Sequence, residues 1–243
     1  MNPVNMLINI AIPVVVLLTL SSPDRLGPIP ALLVAIGIPA VWGIIGLARN
    51  RKPDPSAILG IVSVLATGVI AVFELNTRLF ALKEAAIPLG FAAVLLASNS
   101  TKFPISTLLA DMVQRRDRVR SAIDQLGRQD QYHLHMARVG SIWAAIMSLS
   151  GVLKFALATW LVSAPAGTEM FNHQLAQYEL WQLPTTFALT GVLILSLICY
   201  IGHGTAALTG LAPAEVLRGG HRMAKVMRRF APIAKLFGAI PPA

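Results

Sequence analysis

A lysine in the middle of an oily run invites a chemical reading before any other residue of this chain. Lys154 stands in "VLKFALA", roughly ten residues from the end of an apolar segment over about 141–163, which is near 15 Å at 1.5 Å per residue. An ammonium at that depth costs roughly 2.5–3.5 kcal/mol on insertion scales, and it lies too deep for simple snorkelling. It needs a carboxylate partner or must give up its charge. Two carboxylates are candidates: Glu84, at the start of a segment over about 84–101, and Glu74, at the end of one over about 56–75, both near the surface, so that pairing requires one helix to begin deeper than these bounds. A structural ion pair accounts for such a set. The functional alternative is a site for an anionic substrate or for proton coupling.

Glu84 itself lies in "ALKEAAIPLG". At the first turn of a helix its carboxylate would be stabilised by the macrodipole, by about 0.3–1 kcal/mol, and Lys83 would pair with Glu74 across a short hairpin. Pro88 sharpens the reading, because it leaves the Glu84 carbonyl without its helical donor. In lipid that carbonyl needs another partner, so Glu84 and Pro88 would mark a polar opening in the helix. "NIAIPVVVLL" aligns with "EAAIPLGFAAVLL", setting Asn9 on Glu84 and Pro13 on Pro88. That alignment would relate two inverted halves of three spans each, with a site where they meet. "GIP" at 37–39 shows that Ile-Pro in apolar surroundings also arises without a repeat. His203, between two glycines in "ICYIGHGTAALTG", reads as a histidine bonded to a neighbouring helix, with a proton relay as the alternative.

No catalytic set accompanies these residues: the Ser-x-x-Lys, Gly-x-Ser-x-Gly, phosphate-loop and His-Glu-x-x-His patterns are all missing. His133 and His135, two apart in "YHLHMAR", have no carboxylate or thiolate cluster beside them, so no metal site is expected. No cofactor is implied. The acidic residues are few and scattered, and only Glu74 and Glu84 are expected to share a site.

The elements that must position these side chains follow from composition. Of 243 residues, 55% are hydrophobic and 13% charged, with a mean hydropathy of +0.67. Soluble domains carry about 25% charged residues, so the bilayer is the expected solvent. The single cysteine, Cys199, excludes a disulfide within the chain. "MNPVNMLINIAIP" lacks a basic n-region and reads as a retained first helix, not a cleaved signal. Six segments approach the roughly 20 residues that a spanning helix needs: 4–21, 27–48, 56–75, 84–101, 141–163 and 184–206. The fourth has the shortest clean apolar stretch and reads as either continuous or broken. The expected fold is an all-α bundle of six membrane helices over 1–210, followed by a basic amphipathic tail over 211–243.

Charge orients the bundle. The joins at 49–55 and 102–140, with the C-terminal tail, hold 16 of the 20 Lys and Arg. The opposite joins hold only Arg25, Arg78 and Lys83. The positive-inside rule then places both termini in the cytoplasm. Trp160 and Trp181 fit an aromatic belt on the opposite side. Within 102–140, Ile105, Leu109, Met112, Val119, Ile123 and Leu126 follow helical spacing interrupted by Arg116, with Arg115 and Arg118 among the cations on the other faces. This amphipathic helix would lie on the inner leaflet or against its own bundle, with docking of a protein partner through 104–126 as the alternative. Arg222, Arg228 and Arg229 make the tail a second headgroup-binding segment. The basic stretches lack interleaved aromatics, which argues against nucleic acid as a partner. The loop "PAGTEMFNHQLAQYELW" predicts a short external helix capped by Thr168, with Phe171, Leu175 and Tyr178 resting on the membrane, or a lid.

"SAILGIVSVLATGVIAVFEL", "LFALKEAAIPL" and "APAGTEMFNHQL" resemble a group of small bacterial inner-membrane proteins related to intracellular septation protein A, some labelled as transporters. The resemblance covers roughly 5–210. It implies an inner-membrane location and an envelope-related role, and supplies no reaction. Lys154 departs from the family's pattern, which carries a neutral residue there, usually Asn. Three functions follow: a small transporter or flippase-like protein for an envelope-related metabolite or lipid, a scaffold of the envelope or division apparatus, and, third, a membrane enzyme. The first predicts a polar cavity lined by Asn9, Glu84 and Lys154. The sequence sets no oligomeric state.

Overall fold

The computed structural model describes residues 7–50, 67–69, 73, 76–101 and 104–220, the side chains of 46–50 excepted. Among the described residues there are helices and connections and no strand; one isolated bridge joins Gln114 to Leu217. The expected third span, Glu74, and the tail cations Arg222, Arg228 and Arg229 lie outside the described residues, apart from 67–69 and 73 of that span.

Helix α1 (Leu7–Leu20) opens with a π-helical turn over Leu7–Ala11. Pro13 has no N–H to close on the Asn9 carbonyl, and the backbone there takes the wider turn. Next come α2 (Pro28–Asn50) and α3 (Arg78–Ser98). Two shorter helices follow, α4 (Ile105–Val113) and α5 (Arg116–Leu126). The long α6 (Gln129–Leu161) and α7 (Glu169–Thr209) and the short α8 (Pro213–Val216) complete the order. Four of these, α2, α3, α6 and α7, are long and apolar enough to cross a membrane. Their outer faces carry exposed Leu33, Leu82, Val94, Val152 and Ile194, and Trp160 and Trp181 are exposed as well. So much apolar surface suits a lipid solvent.

Three boundaries differ from expectation. The fourth span is one continuous helix that begins at Arg78, so Glu84 stands almost two turns inside it and not at its first turn. Its carboxylate lies beyond the reach of the helix-end dipole. The expected external helix is no separate element: it forms the first turns of α7, whose 41 residues run about 62 Å. Pro184 lies inside α7 without ending it. The amphipathic helix over 102–140 is two helices plus the start of α6. Its break falls at Gln114, which is extended and fully buried. Gln114 Nε2 donates to Thr205 Oγ1 at 2.8 Å, and the backbone N–H of Arg115 donates to the Val216 carbonyl at 2.8 Å. These long-range bonds set the break two residues before Arg116, where the helical periodicity of the sequence is interrupted. Gly127, at φ +64°, closes α5, with Arg128 N–H on the Ile123 carbonyl.

By contact density the chain forms two units. One takes Met1–Ile87 and Gly151–Thr186; the other takes Pro88–Ser150 and Phe187–Ala243. The first has a core of Leu17, Leu32, Phe80, Ala158, Phe171 and Tyr178. Phe171, Leu175 and Tyr178, expected on a membrane surface, belong to this core. Tyr178 meets Phe80 edge-on, with centroids 5.2 Å apart. The second unit buries Ala110, Val119, Ile123, Met136, Val139, Ile201 and Leu217 together. Val119 and Ile123 thus hold α5 against its own unit, while Leu108 and Met112 of α4 are exposed.

Candidate functional site

The first unit contains a partly open pocket of about 260 Å³. Its apolar wall comes from α1 and α2, through Ile10, Pro13, Leu17, Ala35, Ile36 and Pro39. Its polar wall combines Asn9 of α1, Thr67, Lys83 and Glu84 of α3, Lys154 of α6, and Glu179 and Gln182 of α7. The structure therefore brings Asn9, Glu84 and Lys154 to one volume.

Glu84 is the hub. Its Oε1 lies 2.5 Å from Lys83 Nζ, and its Oε2 accepts the Tyr178 hydroxyl at 3.0 Å. Lys154 Nζ stands 3.6 Å from Oε2. Lys83 also donates to Thr67 Oγ1 at 2.8 Å and lies 5.0 Å from the Phe80 ring centroid. The side chain of Glu84 is 10% exposed. A carboxylate this far from water requires such donors, because an unpaired buried charge costs several kcal/mol. Two ammonium groups on one carboxylate leave a positive charge over. Glu179 supplies a second carboxylate on the same wall and accepts a hydrogen bond from Gln182 Nε2.

Glu179 and Gln182 escaped the sequence reading, which allowed only Glu74 and Glu84 to share a site and set Tyr178 on the membrane surface or in a lid. Their signal was the spacing Leu175–Tyr178–Glu179–Gln182, one helical stripe. It becomes legible only when the loop helix and the sixth span are read as one element.

The other expected residues lie elsewhere. Pro88 is buried one turn beyond Glu84, and α3 stays helical on both sides of it. The polar surface there comes from the Lys83 and Glu84 side chains, not from a break in the helix. His203, in the second unit, bonds through Nδ1 to the Cys199 carbonyl at 2.8 Å, within its own helix and not to a neighbouring one. The histidine that makes the interhelical contact is His135, stacked on Tyr200 with ring centroids 5.1 Å apart. Gly204 admits it: a Cβ there would collide with the His135 ring. His133 contacts the Thr101 carbonyl, so the two histidines have different partners. Among the described residues no group of three His, Cys, Asp or Glu is placed to hold a metal. Of the basic candidates, Arg116 pairs with Asp111 at 3.3 Å, Arg118 is exposed and Arg115 is half-buried.

The "GTEMFN" segment is a clamp. Thr168 Oγ1 caps α7, accepting from Phe171 N–H. Glu169 Oε1 accepts from Ser22 at 2.6 Å. Asn172 Nδ2 donates to Ser21 Oγ at 2.9 Å and to the Pro28 carbonyl at 2.7 Å. These bonds tie the α1–α2 connection to α7.

No family model, curated protein or solved structure matches the chain. The functional reading of the pocket therefore rests on its own geometry.

Proposed function

We propose that this chain is a transporter or flippase-like protein of the bacterial inner membrane, with both termini cytoplasmic, moving a small polar metabolite or lipid of the envelope. The observation that carries the reading is the pocket itself: two lysines and two glutamates border one partly open volume among apolar helices of membrane length. Each ionisable side chain inside a span costs roughly 2.5–3.5 kcal/mol on insertion scales, and such residues mark substrate or ion pathways by default. A purely structural role would be served more cheaply by apolar residues of similar volume, since buried ion pairs rarely repay their desolvation. The test is transport by the full chain in proteoliposomes. Counterflow of labelled amino acids and phosphorylated metabolites would score solutes, and dithionite quenching of fluorescent phosphatidylethanolamine would score lipid flipping. Activity above empty vesicles that falls in Lys154→Met supports the reading; inactivity toward every class sinks it.

A scaffold role has one observation in its favour, the exposed Leu108 and Met112 of α4, one turn apart beside a cluster of arginines. If that face docks a division protein, Leu108→Glu/Met112→Glu should abolish a septation phenotype that Lys154→Met leaves intact.

A further inference from the structure

The two lysines of the pocket are not equivalent. Lys83 commits its ammonium to Glu84 Oε1 at 2.5 Å and to Thr67 Oγ1 at 2.8 Å. Lys154 Nζ, 3.6 Å from Glu84 Oε2, lies beyond hydrogen-bond reach, and no described residue accepts a hydrogen bond from it. Glu84 is already served by Lys83 and the Tyr178 hydroxyl. Among the described residues, the three donors of Lys154 therefore have no hydrogen-bond acceptor within the pocket. The same asymmetry holds for the second carboxylate. Glu179 Oε2 accepts from Gln182, while no described donor engages its Oε1. A cation paired with Glu84 at 3.6 Å but hydrogen-bonded to no described acceptor, and a carboxylate oxygen that no described donor engages, thus border one volume of about 260 Å³, whose remaining wall includes Leu17, Ile36 and Leu175. Small-molecule pockets have this make-up, apolar lining with a few placed polar groups.

We propose that the pocket binds a small zwitterion, its carboxylate or phosphate on Lys154, its ammonium on Glu179 and its apolar portion against the α1–α2 wall. Charge-assisted hydrogen bonds at both ends would outweigh either alone and would reject ligands carrying only one charge. The shared chemistry has two sources, a free amino acid and the ethanolamine phosphate of a lipid headgroup. The proposal deepens the transport reading and rests on it for the fate of the ligand.

The full chain purified in detergent is titrated by calorimetry with L-leucine and with phosphoethanolamine. 4-Methylpentanoate and isoamylamine serve as the anionic and cationic halves of leucine, and native mass spectrometry scores retained phosphatidylethanolamine. A zwitterion should bind at least tenfold more tightly than either half. Lys154→Met and Glu179→Gln should each weaken it at least tenfold, and Glu179→Gln, which keeps size and shape, guards against loss of fold in the lysine variant. Binding of a free zwitterion supports the site with a solute ligand. Retained phosphatidylethanolamine that both substitutions release supports it with a lipid. A half-ligand binding as tightly as the whole, binding that survives both substitutions, or no binding by any probe overturns the proposal. Binding without transport removes the transport reading and keeps the site; transport indifferent to both substitutions removes the site and keeps transport.

Discussion

Replacing either pocket lysine by methionine removes one positive charge, yet the two changes should have very different costs. Lys83 holds a carboxylate that is 10% exposed, at 2.5 Å, and adds a hydrogen bond to Thr67 and a contact with the Phe80 ring. Stripping one partner from a buried pair costs about 3–5 kcal/mol when the remaining charge is left alone. Glu84 would keep the Tyr178 hydroxyl and could draw in Lys154, so Lys83→Met should cost roughly 2–3 kcal/mol. Lys154 is 26% exposed and beyond hydrogen-bond distance, so Lys154→Met should cost roughly 0–1 kcal/mol. Reversible unfolding of the full chain in mixed micelles, titrated with dodecyl sulfate, measures both. The double variant Lys83→Met/Glu84→Gln tests the cause, because removing the carboxylate removes the need for Lys83. Its cost should fall below the sum of the singles by more than about 1 kcal/mol. Equal costs for the two lysines, or strict additivity in the double variant, would refute the division into a structural and an available ammonium.

Two further outcomes follow from packing and from the clamp. Gly204→Ala sets a methyl group against the His135 ring and should cost roughly 1–3 kcal/mol by overpacking; His135→Ala in the same chain should restore part of that stability, which the same unfolding titration reads. Asn172→Ala removes two hydrogen bonds that hold Ser21 and Pro28, each worth about 0.5–1.5 kcal/mol, and should raise the rate of proteolysis within 20–28 several-fold.

Lys154 and Glu84 were legible as partners because charge is scarce in this chain, and a deep ammonium has few carboxylates to choose from. The long helices were legible in place but not in extent. Polar residues such as Glu169, Asn172 and Gln174 marked a separate short external helix, yet their side chains satisfy backbone and hydroxyl groups of other segments. That misplaced boundary hid Glu179 and set Tyr178 on the membrane surface instead of on Glu84. The break at Gln114 was illegible for a different reason. Local periodicity lapses at a single position, Arg116, and it is bonds to Thr205, Val216 and Arg218, about a hundred residues away, that set the break at Gln114.

Lys83 and Glu84 are sequence neighbours on one turn of α3, whereas Lys154 and Tyr178 approach from α6 and α7. Glu84 therefore travels with its own counter-ion. Should α6 or α7 draw away, the carboxylate would exchange a tyrosine and a second amine for water or ligand and would never stand unneutralised. The cluster separates into a fixed ion pair carried by a single helix and a replaceable outer layer, the division of labour that lets a charged site change hands within an apolar surrounding.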